Sequence, residues 1–522
     1  MEVLRVIVAA ELRLVAPSKK LADELSERLT YANPAYAAAL RYKTWTKPPK
    51  YLRNFRRDGN DLCIPRGFAR RLRKMATRHE LTVGWVDRRE VAPVEFPARD
   101  AIDDRLRQAA KPIVVTARQQ ASVDALVATQ NAYLQASTGY GKTLATLLAV
   151  AKAGQRTLYL VPGDLTRTQV LKTAASMFGS SAVCKLGGRP HDLAPVMIAT
   201  YDLAWGIVKR GGDWLRKLQG NVGTLVCDEA HMTGAPTRVK TVAAFAAKYR
   251  WGATATPERK DGLHSLVFDL FGEPADVITY DEAVDAGRIV SVRINVVQSA
   301  TRDRDYEITK FGRTCSACAL QILRSEMPPD KRCDCGGVFQ GGALLDAALN
   351  AQLYSFAEEA LRNDTARTAM IAERVARYHA EGHTTLVLAR RIEHSEILLA
   401  AIRKCGIGAV LLRGGAAYKR DREMAIEKLS HGEVRAGVGT STAYTGMDID
   451  RIDRGIVAIP SANNLPQLKQ MRGRFCRLFD GKDAQLDYVW DRYLFPQAGK
   501  NLRREFGDDV TFEEDNDYDD EQ

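Results

Sequence analysis

The chain has 522 residues, 45% of them hydrophobic and 27% charged, an ordinary balance for a globular protein of three or four domains and one that excludes a small disulfide-held scaffold. Its 76 Lys and Arg against 64 Asp and Glu give a net charge of +12, and residues 508–521 hold nine acids and no base, so the rest is more basic than the total and predicts a polyanion-binding protein. The most apolar early run, residues 3–15, is broken by Arg5, Glu11 and Arg13, so neither a signal peptide nor a membrane span is expected, and no membrane partner.

Residues 1–110 read as a separate basic domain. Two strand-like runs and a helix at 18–29 precede residues 41–78, where thirteen Lys or Arg face only Asp58 and Asp61. Tyr42, Trp45, Tyr51, Phe55 and Phe68 are interleaved with those charges. Cations for phosphates and aromatic faces for stacking make a sequence-independent nucleic-acid platform, although some of these aromatics must form a small core. Removal of this domain is expected to leave the remainder folded.

From 111 to 292 short apolar strands alternate with helical segments, the pattern of a parallel sheet with crossover helices. The expected strands are 133–136, 157–161, 196–200, 224–227 and 249–252. The first runs into Ala136-Ser137-Thr138-Gly139-Tyr140-Gly141-Lys142-Thr143 and then a helix. Gly139 and Gly141 let successive N–H groups converge on phosphate, Lys142 reaches the outer phosphates, and the Thr143 hydroxyl holds magnesium. Ala136 stands where the usual spacing has its first glycine. Asp228-Glu229-Ala230-His231 ends another strand. Asp228 there is placed to hold magnesium, and Glu229 to orient or deprotonate an attacking water.

An insertion at 293–345 carries Cys315 and Cys318, then Cys333 and Cys335. Four thiolates make a closed tetrahedral site for structural zinc, with an iron–sulfur cluster or free thiols as the alternatives. Lys310, Arg313, Arg324, Lys331 and Arg332 surround it and could touch a nucleic-acid backbone. Residues 346–500 repeat the alternation, with strands at 385–389, 409–412, 435–440 and 455–459, but have no phosphate loop, so this unit completes a site rather than forming one. In Gln470-Met471-Arg472-Gly473-Arg474-Phe475-Cys476-Arg477, Arg474 and Arg477 are expected on one helical face, where two guanidiniums can offset charge on a transferred phosphoryl group. Residues 501–522 read as a disordered acidic tail that binds a protein partner, competes for the basic body, or serves solubility.

Over residues 119–477 these motifs resemble, in order, those of the superfamily 2 helicases and translocases with a DEAH form of the second motif. The resemblance implies an α/β fold class: two tandem RecA-like parallel-sheet domains with ATP between them, a small α+β N-terminal domain and a zinc-ribbon-like insertion. It implies that Gln119 or Gln120, the latter taken as the contact, reads adenine. Ser137, Thr138, Gly139, Tyr140, Gly141, Lys142 and Thr143 would hold the phosphates, with Asp228, Gly446 and Asp448 completing the nucleotide site. Leu160-Val161-Pro162 with Gln169, and also Thr200 and Thr440, would face a nucleic-acid strand. Thr254-Ala255-Thr256 would couple hydrolysis to strand movement, and Gln470, Arg474 and Arg477 would act on the phosphates.

Glu258-Arg259-Lys260-Asp261-Gly262, Leu270-Phe271-Gly272 and Ile64-Pro65-Arg66-Gly67-Phe68 are similar to the group containing the xeroderma pigmentosum group B helicase and phage UvsW. Lys260 replaces the acid of the Arg-Glu-Asp element found in the former. The resemblance implies a nucleic-acid-stimulated ATPase that uses ATP, Mg2+ and structural Zn2+ and acts on forked, branched or duplex DNA in the cytoplasm of a bacterial or phage-infected cell. An RNA or RNA–DNA hybrid helicase, a restriction-type translocase subunit and an ATP-switched assembly factor are the alternatives.

Overall fold

Runs such as Thr157–Val161 and Thr224–Asp228 are buried along their whole length, the signature of strands covered by helices on both faces. The computed structural model describes all residues except 1, 42–44, 46–47, 110–111, 258–261, 300, 302–312, 319–320, 323–329, 336–337, 341–346, 416, 441–448, 460–464, 480, 492–493 and 514–522. The chain divides into two compact units, residues 1–39 with 45–288, and residues 289–522 with 40–44.

The first unit holds two sheets. Its amino-terminal sheet has five strands in the order Arg56–Asp58, Asp61–Pro65, Glu11–Leu14, Glu2–Val8 and Leu81–Asp87, antiparallel except for the last pair. Alternation in Glu2–Val8 sends Leu4 and Val6 inward, where they meet Leu21 and Leu25 of helix Lys19–Arg28 and Leu72 and Met75 of helix Ala69–Arg78. Phe68 belongs to this core and Phe55 packs against it, whereas Trp45 and Tyr51 are exposed. The second sheet is parallel throughout, in the order Val183–Lys185, Val196–Thr200, Thr157–Val161, Thr224–Asp228, Tyr249–Thr254, Asn131–Ala136, Pro274–Ile278.

These two sheets are joined within the first compact unit over a seam that begins before residue 110. Already at Glu90 and Ala92 the chain is stitched to the second sheet, by Glu90 N–H to Ala246 O at 2.7 Å and by Arg156 N–H to Ala92 O at 2.7 Å. Two buried arginines cross the seam in opposite directions. Arg66 Nη1 donates to Ala247 O at 2.6 Å, and Arg250 Nη2 donates to Ala10 O at 2.8 Å. Helix His264–Phe271 supplies the third contact: the fully buried Asp269 carboxylate accepts from Tyr31 (2.7 Å), Asn54 (2.8 Å) and Arg71 (2.7 Å). A Cβ on Gly67 would lie 2.3 Å from the Gly272 nitrogen, so the close approach of the two backbones requires glycine there. Within the basic stretch Arg66 is buried in the seam and Arg71 is half-buried against it, Arg70 pairs with Glu273, and Lys50, Arg53, Arg56, Arg57, Arg73, Lys74 and Arg78 are exposed.

The second unit contains a parallel seven-stranded sheet in the order Ala409–Leu412, Ala436–Thr440, Thr385–Ala389, Arg454–Val457, Ala484–Asp491, Val292–Ser299, Val510–Phe512. Val292–Ser299 was expected in the insertion, yet its apolar run pairs along its full length with Ala484–Asp491. The tail also begins later than residue 501. Pro496–Phe506 is helical, Val510–Phe512 is an edge strand, and Glu513 is held by Arg374 and Asn295. Acidic residues 514–522 lie outside the described part.

Candidate nucleotide site and its neighbours

Strand Asn131–Ala136 ends at the loop, and helix Lys142–Ala153 starts from it, as the glycine spacing predicts. Gly139 and Gly141 have φ of 92° and 100°, a left-handed backbone that lets the chain curl around an anion. Lys142 Nζ lies over the loop, donating to Ala136 O at 2.9 Å and Ser137 O at 3.1 Å. Ala136 in place of glycine is fully buried at the strand's end, so the turn begins one residue later, at Ser137.

The two glutamines separate clearly. Gln119 is fully buried, completes a capping box with Thr116, and donates from Nε2 to Tyr140 O at 2.8 Å, fixing the loop from behind. Gln120, one residue round the helix, turns to Arg99 and Asp124, so of the two glutamines considered for adenine it is Gln119 that touches the loop. Tyr140 is likewise a loop anchor, its ring buried and its hydroxyl 3.1 Å from Ser122 Oγ.

Asp228 and Glu229 stand at the carboxyl end of strand Thr224–Asp228, which Tyr249–Thr254 separates from the loop strand; ligands of such sheets gather at these strand ends. Asp228 is buried and accepts from the Glu229 N–H at 3.0 Å. Glu229 has φ of 48°, an uncommon conformation for a residue with a side chain. His231 Nδ1 lies 3.4 Å from Glu229 Oε2 and 3.0 Å from Thr254 Oγ1. Thr254 Oγ1 in turn donates to Thr256 O at 3.0 Å and accepts from Thr256 N–H at 3.2 Å. His231 and the Thr254-Ala255-Thr256 turn are therefore hydrogen-bonded together, and Glu229 Oε2 lies 3.4 Å from the same His231 nitrogen without a hydrogen bond. Tyr159, on the adjacent strand, bonds Thr146 at 2.9 Å, and burial with the nearby Asp228 charge pushes its phenol up.

Three buried oxygens around this loop and acid pair have no hydrogen-bond partner within the protein: Ser137 Oγ, Glu229 Oε2 and Thr256 Oγ1. Buried polar atoms are rarely left so, and their gathering beside a phosphate-type loop fits a nucleotide, its metal and a water. Thr143, at the first turn of the loop helix, and Asp228 are the oxygen donors suited to Mg2+.

The strand-facing residues are placed less simply. Thr200 caps helix Tyr201–Arg210, accepting from Leu203 N–H at 3.2 Å. Thr440 ends strand Ala436–Thr440 and is buried, while Gly446 and Asp448 lie outside the described residues, as do Arg259, Lys260 and Asp261. Gln470 and Arg474 lie on helix Leu465–Phe475, but the helix stops before Arg477, so the two arginines do not share a helical face. Past the helix end, Arg477 Nη1 is 3.8 Å from Asp450, and burial pushes its guanidinium down to about 10. Arg472, between them in the motif, is buried and bound to Asp509 at 3.0 Å.

The insertion brings its cysteines together. Arg313–Cys315 pairs with Gln321–Ile322 and Phe339–Gln340, and the sulfurs of Cys315, Cys318, Cys333 and Cys335 all lie within 4.8 Å of one another. Cys315 and Cys335 are 3.4 Å apart, Cys318 and Cys333 3.6 Å. A tetrahedral site with zinc–sulfur bonds of about 2.3 Å has sulfurs roughly 3.8 Å apart, so the donor set fits. N–H groups of Cys318 and Ala317 aimed at Cys315 hold its thiol down at about 6, toward the thiolate a metal needs. Lys331 and Arg332 beside it are exposed; Lys310 and Arg324 are not among the described residues.

His231, Gln119 and Asp269 are the functional or organising residues to which sequence reasoning gave no firm role; the histidine of the DEAH string was the available signal for the first. Residues 116–262 match the DEAD/DEAH box helicase family, and residues 367–478 match the helicase conserved C-terminal domain. A Rad25 DNA 3'-5' helicase of Halobacterium salinarum is 30% identical over 242 residues, 43% of this chain and 38% of that protein. The DNA 3'-5' helicase XPB of Mycobacterium tuberculosis is 31% identical over 212 residues, 37% of this chain and 38% of that protein. The chain thus matches little more than a third of the length of either relative. Among solved structures, S. cerevisiae Dbp5 bound to RNA and ADP BeF3 aligns over 79% of this chain and 93% of its own, with a TM-score of 0.51 at 13% identity, a likeness of fold.

Proposed function

We propose that the chain, whose residues match the DEAD/DEAH box helicase family and the helicase conserved C-terminal domain and resemble the XPB and Rad25 group, is an ATP-driven superfamily 2 motor that remodels forked or branched DNA in replication, recombination or repair. The observation that carries this reading is His231, whose Nδ1 is hydrogen-bonded to Thr254 of the Thr254-Ala255-Thr256 turn and lies 3.4 Å from the Glu229 carboxylate. Lys142 and the loop amides would hold the phosphates, Thr143 and Asp228 the magnesium, and Glu229 the attacking water. Bound Mg2+ would supply charge stabilisation at the phosphoryl group. Arg474 and Arg477 would act on that group, as the family resemblance implies. Zinc on the four cysteines would hold the small three-stranded insertion together, since a sheet of two- and three-residue strands has little core of its own.

The amino-terminal domain contributes exposed Trp45 and Tyr51 beside Lys50 and Arg53, a stacking and backbone-binding edge in this reading. Among the described residues no helix is long and apolar enough to cross a membrane; the cytoplasm of a bacterial or phage-infected cell is the proposed setting, and the acidic end is proposed to engage a protein partner. The test is steady-state ATPase activity with single-stranded DNA, duplex DNA, forked DNA and RNA. Strongest stimulation by forked DNA is expected. Strongest stimulation by RNA, or none by any nucleic acid, would replace the reading with an RNA helicase or an ATP-switched assembly factor.

A further inference from the structure

Two cavities flank the seam of the first unit, and their charges differ. The larger, about 640 Å³, is lined by Arg70, Arg73 and Arg89 but also by Asp87 and Glu273, which pair with Arg89 and Arg70. Arg66 lines it too, spent on Asn131 and the Ala9 and Ala247 carbonyls, and Arg73 lies over the Trp85 ring, so this cavity differs from the next in having two carboxylates in its lining. The smaller, about 340 Å³, lies where helices Lys19–Arg28 and Ala69–Arg78 meet the start of His264–Phe271. Arg28, Arg71, Lys74 and Arg78 line it over an apolar floor that includes Phe68, Ser265 adds a hydroxyl, and no carboxylate faces it.

The acids behind this wall are too few for its cations. Glu24 serves Arg28 at 3.1 Å and Arg78 at 3.5 Å and also meets His79, while Asp269 serves Arg71. Two carboxylates therefore answer four permanent cations, and Lys74 has no ion-pair partner among the described residues. Arg71, Lys74 and Arg78 are spaced three and four apart, so helix Ala69–Arg78 presents them on one side by design of the sequence. The Arg71 guanidinium is fixed twice, by Asp269 and by stacking 4.1 Å over Phe68. A fixed fork, a flexible ammonium and a hydroxyl above a ring suit one phosphodiester with its sugar. The lining offers no amide side chain with which to read a base.

We propose that this pocket is a subsite for a backbone phosphate of the DNA on which the motor acts. The inference rests on the proposed function. It gives the amino-terminal domain a defined contact in place of a diffuse basic face, at the head of the helix that follows the Thr254-Ala255-Thr256 turn in sequence.

The full chain tests it with Lys74→Glu, an exposed position whose change breaks no ion pair. Lys19→Glu, exposed at the far end of helix Lys19–Arg28, makes the same change of net charge away from the pocket. Binding of forked DNA is measured over several salt concentrations, with ADP binding and DNA-free ATPase alongside. Lys74→Glu is expected to weaken DNA binding roughly ten-fold at low salt and to reduce the salt slope by about 1, as loss of one phosphate contact does, leaving ADP binding and DNA-free ATPase unchanged. Lys19→Glu should change the slope by much less. Equal behaviour of the two variants, while the unmodified chain binds forked DNA, would overturn the subsite and leave the motor reading standing. Loss of ADP affinity in Lys74→Glu with DNA binding kept would overturn it in favour of a free-nucleotide pocket. An unmodified chain that bound no nucleic acid would end both.

Discussion

His231 Nδ1 sits 3.0 Å from Thr254 Oγ1, a hydrogen bond between the residue two beyond Glu229 and the end of the neighbouring strand. Thr254 also bonds both the carbonyl and the N–H of Thr256, and we propose that a shift of Glu229, 3.4 Å from the same His231 nitrogen, reaches this turn through His231. A chain of buried hydrogen bonds couples its members more tightly than isolated pairs would.

His231→Ala should therefore separate ATP binding from its consequence. Affinity for ATP is expected to stay within about two-fold, while the stimulation of ATPase by forked DNA falls roughly ten-fold, a coupling loss of about 1.4 kcal/mol. Unchanged stimulation would show that His231 carries no coupling.

The seam predicts that the amino-terminal domain cannot be removed cleanly, contrary to what the sequence suggests. Its deletion strips Asp269 of Tyr31, Asn54 and Arg71 and takes Ala10 O from the buried Arg250. Asp269→Ala in the full chain should cost on the order of 3 kcal/mol, since it strands partners of a buried ion pair. Denaturant unfolding reads this directly, and a midpoint equal to the unmodified chain's would refute the seam's role.

Zinc retention gives a separate check on the insertion. Protein purified without chelator should carry about one zinc per chain, and Cys315→Ser with Cys318→Ser should carry none, with faster proteolysis inside residues 313–340 but ATP binding kept. Metal-free protein with an equally protected insertion would contradict the assignment.

In the second unit, burial pushes His394 down to about 4, aided by Arg367 and Arg362, and its Nδ1 has no partner. In the unfolded chain this imidazole takes up a proton near 6.5, whereas in the folded chain it resists until about 4. The unfolded state therefore binds more protons across that window, and stability falls as pH drops through it. Loss of about 2 kcal/mol between pH 7.5 and 5 is expected from this group. His394→Gln should flatten the dependence, and an unaltered slope would exclude the histidine.

Much of the scaffold was legible because its inner strands are continuous apolar runs: 157–161, 196–200 and 385–389 are strands in the structure as read, and so is the apolar edge strand 409–412. The edges Pro274–Ile278 and Val510–Phe512 were not, because they are short, half-exposed and flanked by polar residues. A strand read by alternation or apolar content cannot be found where one side faces solvent and the run is three to five residues. At the site, glycine spacing and the acid pair were readable, but the choice between Gln119 and Gln120 turned on a capping box that fixes helix register. Residues such as Arg71 and Asp269 meet across 198 positions of chain, and nothing local in either stretch announces the other. The end of helix Leu465–Phe475 before Arg477 is set by Cys476, whose carbonyl accepts from Val290 N–H at 2.7 Å, another contact remote in sequence.

If Glu229 orients the water that attacks ATP when nucleic acid is bound, ATP hydrolysis by Glu229→Gln in the presence of forked DNA, measured beside ATP binding by the same protein, shows it most plainly. The account predicts turnover reduced by about 100-fold or more, as removal of a catalytic carboxylate does, with ATP affinity close to that of the unmodified chain. Hydrolysis at the unmodified rate, with binding intact, would contradict it.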